Sequence, residues 1–233
     1  MEYTDKLLHC TCDLVYLRTY EDGSQCIIKL LKQNQERKGQ EYRIMKALYE
    51  AGVRVPKIIR YEEVEVRRGW KSYTEMIVME CVPGETLQDV SIKKNLPLHV
   101  RQENPPDEET KRIALQMLDL VEKMHKAGYY HGDLHSANFI WDGTNLTLID
   151  FGRAYSAEFH KNVKEETFQP TYEHAKTLCK EAPHLVYMQD LAYDWDFYSL
   201  YEEQLLTNCI CSFVGVDEDA KSIAELRSMV EEW

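Results

Sequence analysis

Two short apolar runs stand near the start of the chain. Leu14-Val15-Tyr16-Leu17 and Cys26-Ile27-Ile28-Lys29-Leu30-Leu31 are joined across Glu21-Asp22-Gly23-Ser24. β-Prone runs bounded by such a turn predict a hairpin. Between residues 34 and 51 the period becomes helical. Glu41, Ile44, Met45 and Leu48 share one face, and Ala51-Gly52 supplies a stop. With residues 1–31 read as strands, residues 57–66 and 74–82 predict two more, with Arg68-Gly69 near their turn, completing a five-stranded antiparallel sheet with one helix. Residues 86–106 are polar and contain Asn104-Pro105-Pro106, which predicts a loop or a short helix followed by a loop. From residue 107 to 126, Ile113, Met117, Leu120, Val121 and Met124 line one helical face, and Gly128 ends it. Phe139-Ile140-Trp141, the turn Asp142-Gly143 and Leu146-Thr147-Leu148-Ile149 then predict a strand–turn–strand. The pattern is α+β. It divides at about residue 83 into an N-terminal sheet with its helix (1–83) and a mainly helical remainder (84–233).

Bulk properties narrow the classes. The 233 residues carry a formal charge of −12. Such a chain gains little from counterion release on a polyphosphate, which argues against general nucleic-acid binding while leaving room for a basic local patch. No run approaches transmembrane length, and the start, MEYTDKLLHC, does not read as a signal peptide. Seven scattered cysteines point to a reduced, cytoplasmic setting. Cys10-Thr-Cys12 and Cys209-Ile-Cys211 could in principle be combined into a zinc site. Their spacing departs from C-x-x-C and their surroundings are apolar, so buried free thiols are the better reading.

The chemistry concentrates between Tyr129 and Ala154. His131-Gly132-Asp133 is followed five positions later by Asn138, and Asp150-Phe151-Gly152 lies twelve positions beyond. Phosphoryl transfer from ATP needs a carboxylate to orient and deprotonate the accepting hydroxyl. It also needs an amide oxygen and a second carboxylate to hold magnesium against the phosphates. Asp133, Asn138 and Asp150 suit those roles in that order, and the hairpin between them would bring Asn138 and Asp150 to neighbouring points. The bland alternative is a surface hairpin whose polar residues make turns.

This stretch resembles the H-R-D-x-x-x-x-N and D-F-G signatures of the protein kinase superfamily, and the resemblance covers most of the chain. It implies a two-lobed kinase-like fold, with ATP and Mg2+ as cofactors. Lys29 stands where kinases place the strand lysine that holds the α- and β-phosphates. Alone it would read as a lysine snorkelling from an edge strand. Glu41 is the implied partner of Lys29, ahead of Glu36 and Glu50. The run Met76-Ile77-Val78-Met79-Glu80-Cys81-Val82-Pro83-Gly84 resembles the kinase hinge. Backbone groups of Glu80 and Val82 or their neighbours would meet adenine, and Met79 would limit the pocket behind it. It reads equally as a buried strand ending in a Pro-Gly turn. The segment from Arg37 to Pro56 resembles RIO-type kinases and the small kinase of the KEOPS tRNA-modification complex.

Several departures bear on function. No glycine precedes Gly23, so the glycine-rich turn that covers phosphates in most kinases is missing; its place is His9-Cys10-Thr11-Cys12-Asp13. His135, where protein kinases typically carry lysine, resembles aminoglycoside and choline kinases, or else is a packed turn residue. Ala182-Pro183-His184 stands where kinases have Ala-Pro-Glu. Asp196 is the implied buried anchor of the catalytic loop, with Asp190 and Asp194 competing. The short C-terminal part resembles RIO-type, KEOPS-type and lipopolysaccharide sugar kinases. Three functions follow. The first is an atypical kinase acting on a protein Ser/Thr hydroxyl or on itself. The second is a small-molecule or sugar kinase. The third is a pseudokinase scaffold, which the intact Lys29, Glu41, Asp133, Asn138 and Asp150 oppose.

Overall fold

The computed structural model describes residues 2–9, 12–32, 37–94, 106–156, 202–203, 205–211 and 221–233. They form two compact units, Met1–Pro83 and Gly84–Trp233. In the first, β1 (Tyr3–His9), β2 (Leu14–Tyr20), β3 (Gln25–Lys32), β4 (Ile58–Arg68) and β5 (Lys71–Glu80) build one antiparallel sheet in the order β1-β2-β3-β5-β4. The β2–β3 turn is closed by Asp22, whose Oδ1 accepts from the Ser24 backbone at 2.9 Å. Cys26, Ile28 and Val78 are buried on one face of the sheet, beneath Tyr16, Tyr20 and Met76. β1 is an edge strand exposed along its whole length.

Among the described residues this unit has one helix, α1 (Gln40–Glu50), whose start lies six residues beyond the expected start at 34. Gly39 is the cause. Its φ of 71° is left-handed, which an α-helix of L-residues does not tolerate. Residues 37–39 are therefore a turn, and Ile44, Met45 and Leu48 alone carry the helix's apolar face inward.

The second unit begins with β6 (Glu85–Thr86) and α2 (Leu87–Lys93), which starts at the Thr86 cap, followed by α3 (Glu108–Lys126). Asp107 caps α3, accepting from the Thr110 backbone at 2.7 Å. Ile113, Met117, Val121 and Met124 of α3 are fully buried. Each contributes on the order of 1.5–3 kcal/mol of transfer free energy. After α3 come β7 (Tyr129–Tyr130), a 3-10 turn (Ser136–Asn138), β8 (Phe139–Trp141), β9 (Leu146–Leu148) and β10 (Tyr155–Ser156). Strands β6, β8 and β9 pair in that order, and β10 pairs with β7. Gly84 is required beside this small sheet: a Cβ there would lie 2.2 Å from the Trp141 carbonyl oxygen.

Residues 202–203 and 205–211 are helical and bury Leu206, Cys209, Ile210 and Cys211. Burial and the neighbouring Cys211 push the Cys209 thiol up to about 12, so it stays protonated. The final helix, α4 (Ile223–Glu231), opens with a capping box between Ser222 and Glu225 and buries Leu226 and Val230. Arg227 Nη2 ties it to α3 through Asp119 at 2.8 Å and Glu122 at 3.2 Å. Among the described residues, no helix is long and apolar enough to cross a membrane.

Candidate active site

The first unit gathers one half of the candidate residues. Lys29 Nζ lies 2.8 Å from Glu41 Oε1, and both side chains are only 6% exposed. A charge so deeply desolvated is stable only with its partner, so each residue fixes the rotamer of the other. Asp13 is a further carboxylate that the sequence did not single out. Its Oδ2 is 3.6 Å from Lys29 Nζ, and its Oδ1 accepts from the Lys32 backbone at 2.8 Å. It occupies the β1–β2 turn, where a glycine-rich loop would run. Of the alternatives to Glu41, Glu50 is exposed at the helix end and Glu36 lies outside the described residues.

At the end of β5, Met79 is buried while Glu80 is exposed and Val82 partly so. The Glu80 backbone N–H is committed to the Lys57 carbonyl at 3.0 Å. Glu80 therefore offers a ligand no free donor.

The second unit gathers the other half, and local geometry explains how. Gly132 has φ +73°, and a Cβ on it would lie 2.7 Å from the Arg153 carbonyl oxygen. Glycine is thus required where related signatures have arginine. The 3-10 turn closes through the Asn138 backbone N–H donating to the His135 carbonyl at 2.9 Å. Ile149 N–H then donates to the Asn138 carbonyl at 2.9 Å, so the β8–β9 hairpin sets Asp150 directly beside Asn138. Asn138 Nδ2 donates to the Asp133 carbonyl at 2.9 Å and faces His135 Nε2 at 3.0 Å. An amide nitrogen only donates, so His135 Nε2 is the acceptor in this contact. With its nitrogen committed, Asn138 presents Oδ1. Asp150 is the one non-glycine residue with positive φ (63°) among the described residues, and its side chain is exposed. An amide oxygen and a carboxylate on adjacent backbone are hard oxygen donors. They suit Mg2+, which takes one or two protein oxygens and completes its shell with water and phosphate oxygens.

Asp133 is partly exposed. His135 Nε2 at 3.8 Å and Arg153 Nε at 4.0 Å stand beside its Oδ2. Beneath the loop, His131 is fully buried, donates from Nε2 to the Ile149 carbonyl at 3.0 Å, and meets the Phe151 ring at 5.0 Å.

The loop's backbone is anchored by a residue that sequence reasoning missed. Glu202, 1% exposed, accepts from the backbone N–H of His131 and from that of Gly132, the latter at 3.0 Å. Two successive N–H groups converging on one carboxylate form an anion nest. This is the role expected of Asp196; that residue, Asp190, Asp194 and the Ala182-Pro183-His184 segment lie outside the described residues. One signal was available: Glu202 leads the spacing Glu202, Leu206, Cys209, Ile210, which places it on the buried face of its helix.

Residues 24–186, which include Lys29, Glu41, Asp133, His135, Asn138 and Asp150, match the family described as Lipopolysaccharide kinase (Kdo/WaaP) family. The chain belongs to this family. Within its kinase-like fold, 124 residues are 32% identical to the KEOPS complex subunit Bud32 of Pyrococcus abyssi, covering 53% of this chain and 47% of that protein. A probable serine/threonine-protein kinase BUD32 homolog of Archaeoglobus fulgidus is 27% identical over 115 residues, 49% of this chain and 44% of that one. A probable bifunctional tRNA threonylcarbamoyladenosine biosynthesis protein of Methanosarcina acetivorans is 30% identical over 142 residues, 54% of this chain and 25% of that one. The matches thus span about half the length of these relatives or less.

Proposed function

We propose that this chain is an atypical kinase that transfers the γ-phosphoryl group of ATP to a hydroxyl, with a protein Ser/Thr residue as acceptor, in trans or on itself. The observation that carries the reading is the buried Lys29–Glu41 ion pair. Two desolvated charges contribute little net stability, and a hydrophobic pair would serve a purely structural strand and helix as well. A fixed ammonium suits ATP phosphates, and the Bud32-type relatives support a protein acceptor.

The geometry within each unit supports the following roles. Lys29, oriented by Glu41, would hold the α- and β-phosphates. The backbone at Glu80 and Val82 would meet adenine, with Met79 behind it. Asp133 would orient the acceptor hydroxyl and take its proton as the new O–P bond forms and the bond to ADP breaks. His135 and Arg153 would shape the field at its Oδ2. Asn138 Oδ1 and Asp150 would hold Mg2+, which supplies charge neutralisation at the phosphate oxygens. Most of the rate would come from positioning and charge complementarity. Among the described residues, the unbridged thiols of Cys12, Cys26 and Cys81 support a reducing, cytoplasmic setting.

A sugar or other small-molecule acceptor is the second reading. The family match and His135 favour it. ADP release from Mg–ATP, measured for the wild type, Asp133→Ala and Asp150→Ala, tests the proposal. Protein acceptors are tried first, then a panel of sugars and aminoglycosides. Turnover abolished in both variants supports a kinase, and the acceptor that raises the rate names the class. No turnover and no Mg–ATP binding would leave a scaffold.

A further inference from the structure

Helix α1 has no side-chain cap of its own, because its N-cap residue is Gly39. The cap comes from the sheet. Glu75 of β5, 3% exposed, directs Oε2 at the Gly39 backbone N–H (2.7 Å) and at the Tyr61 hydroxyl of β4 (2.9 Å). Glu75 stands opposite Leu31 in the sheet register, as Ile77 stands opposite Lys29. It therefore points to the same face of the sheet as Lys29. Among the described residues, no lysine or arginine pairs with Glu75. Its charge is compensated by the two donors and by the positive end of the helix dipole. Tyr61 also stacks on Tyr42 in the first turn of α1, with ring centroids 4.4 Å apart and planes within 10°. Lys38, just ahead of α1, reaches Glu63 of β4 at 2.6 Å. Glu41 lies two residues beyond Gly39.

We infer that Glu75 and Tyr61 are positioning residues that hold the first turn of α1 on the sheet and thereby keep Glu41 in register with Lys29. This rests on the kinase reading above. A neutral Gln at position 75 keeps an oxygen for both donors, whereas Ala removes it. Tyr61→Phe keeps the ring stack and removes one donor. Glu75 acts through Glu41, so its effect depends on Glu41 being present.

The test is a double-mutant cycle, with hydrogen exchange of residues 37–46 read in parallel. Glu75→Ala is expected to lower kcat tenfold or more with a smaller change in KM for ATP. Tyr61→Phe is expected to lower kcat severalfold, while Glu75→Gln retains most of it. In a Glu41→Gln background, adding Glu75→Ala should change residual turnover by less than twofold. Exchange at 37–46 should accelerate in Glu75→Ala while circular dichroism stays native. A full tenfold loss in the Glu41→Gln background, or unchanged exchange in an active protein, overturns the positioning role and leaves the kinase reading standing. A wild type that neither binds nor turns over Mg–ATP overturns the kinase reading, and the positioning role with it; exchange then reports only whether Glu75 tethers α1. If Glu75→Ala does not fold, Tyr61→Phe carries the same cycle.

Discussion

Replacing Glu202 should damage stability and turnover together. Its two carboxylate oxygens satisfy two buried backbone N–H groups, those of His131 and Gly132. A hydrogen bond to a charged group contributes about 1.5–3 kcal/mol, and a buried donor left without a partner costs about 1–3 kcal/mol. Glu202→Gln keeps one oxygen and turns an NH2 group toward the second N–H, so one bond is lost and two donors face each other. The expected loss is about 2–3 kcal/mol. Glu202→Ala strands both donors and leaves a cavity, for a loss of about 4–5 kcal/mol. The loop these groups hold carries Asp133 and leads into Asn138. Misplacement by about 1 Å costs on the order of 100-fold in rate. Urea unfolding gives the stability of each variant, and ADP release gives kcat per folded molecule. Glu202→Gln with a stability within about 0.5 kcal/mol of wild type and an unchanged kcat would refute the anchoring role. A lowered midpoint with kcat intact would show instead that the carboxylate supports the fold but not the loop's catalytic geometry.

Three further outcomes are expected. Asp13→Asn keeps the acceptor for the Lys32 backbone but removes a negative charge 3.6 Å from Lys29. KM for ATP should fall by up to about fivefold, the scale of a partly exposed pair worth about 1 kcal/mol; a raised KM would show that Asp13 helps rather than opposes phosphate binding. Gly132→Ala forces a side chain into a left-handed residue and against the Arg153 carbonyl, so it should cost about 2 kcal/mol or more and depress turnover, read by thermal melting and ADP release. Burial raises the Glu203 carboxyl above its ordinary 4.5, with His125 opposing. The folded state then binds that proton more tightly than the unfolded one, so ionisation at neutral pH is destabilising and the penalty fades as pH falls through the raised value. Glu203→Gln should melt higher than wild type at pH 7, by a margin that shrinks on acidification toward 4.5; a margin that grows would contradict the assignment.

Local pattern alone determined much of this protein. The α3 face, the β8–β9 hairpin, the strand runs around Lys29 and Met79, and the spacing from His131 to Gly152 are all short-range. Period, turn residues and interval specify them before any tertiary contact forms. Glu41 was legible because the resemblance to kinases asks for a glutamate on this helix, and the apolar period puts Glu41 on its inward face. The start of α1 was obscured because residues 34–38, Asn-Gln-Glu-Arg-Lys, carry no apolar period to mark a boundary, and the left-handed φ of Gly39 is a backbone property.

Only the tertiary structure decided what lies across long intervals. Glu202 meets the loop 71 residues away, and Glu75 meets Gly39 across 36. Asp13 reaches Lys29 across the β1–β2 turn. Each is a carboxylate, and all three accept from backbone N–H groups. Every residue but proline has such a group, so the partner leaves no mark in sequence. A glutamate reads as a solvated charge until the fold buries it. The cost of desolvation, offset by donors brought from elsewhere in the chain, then makes it an anchor.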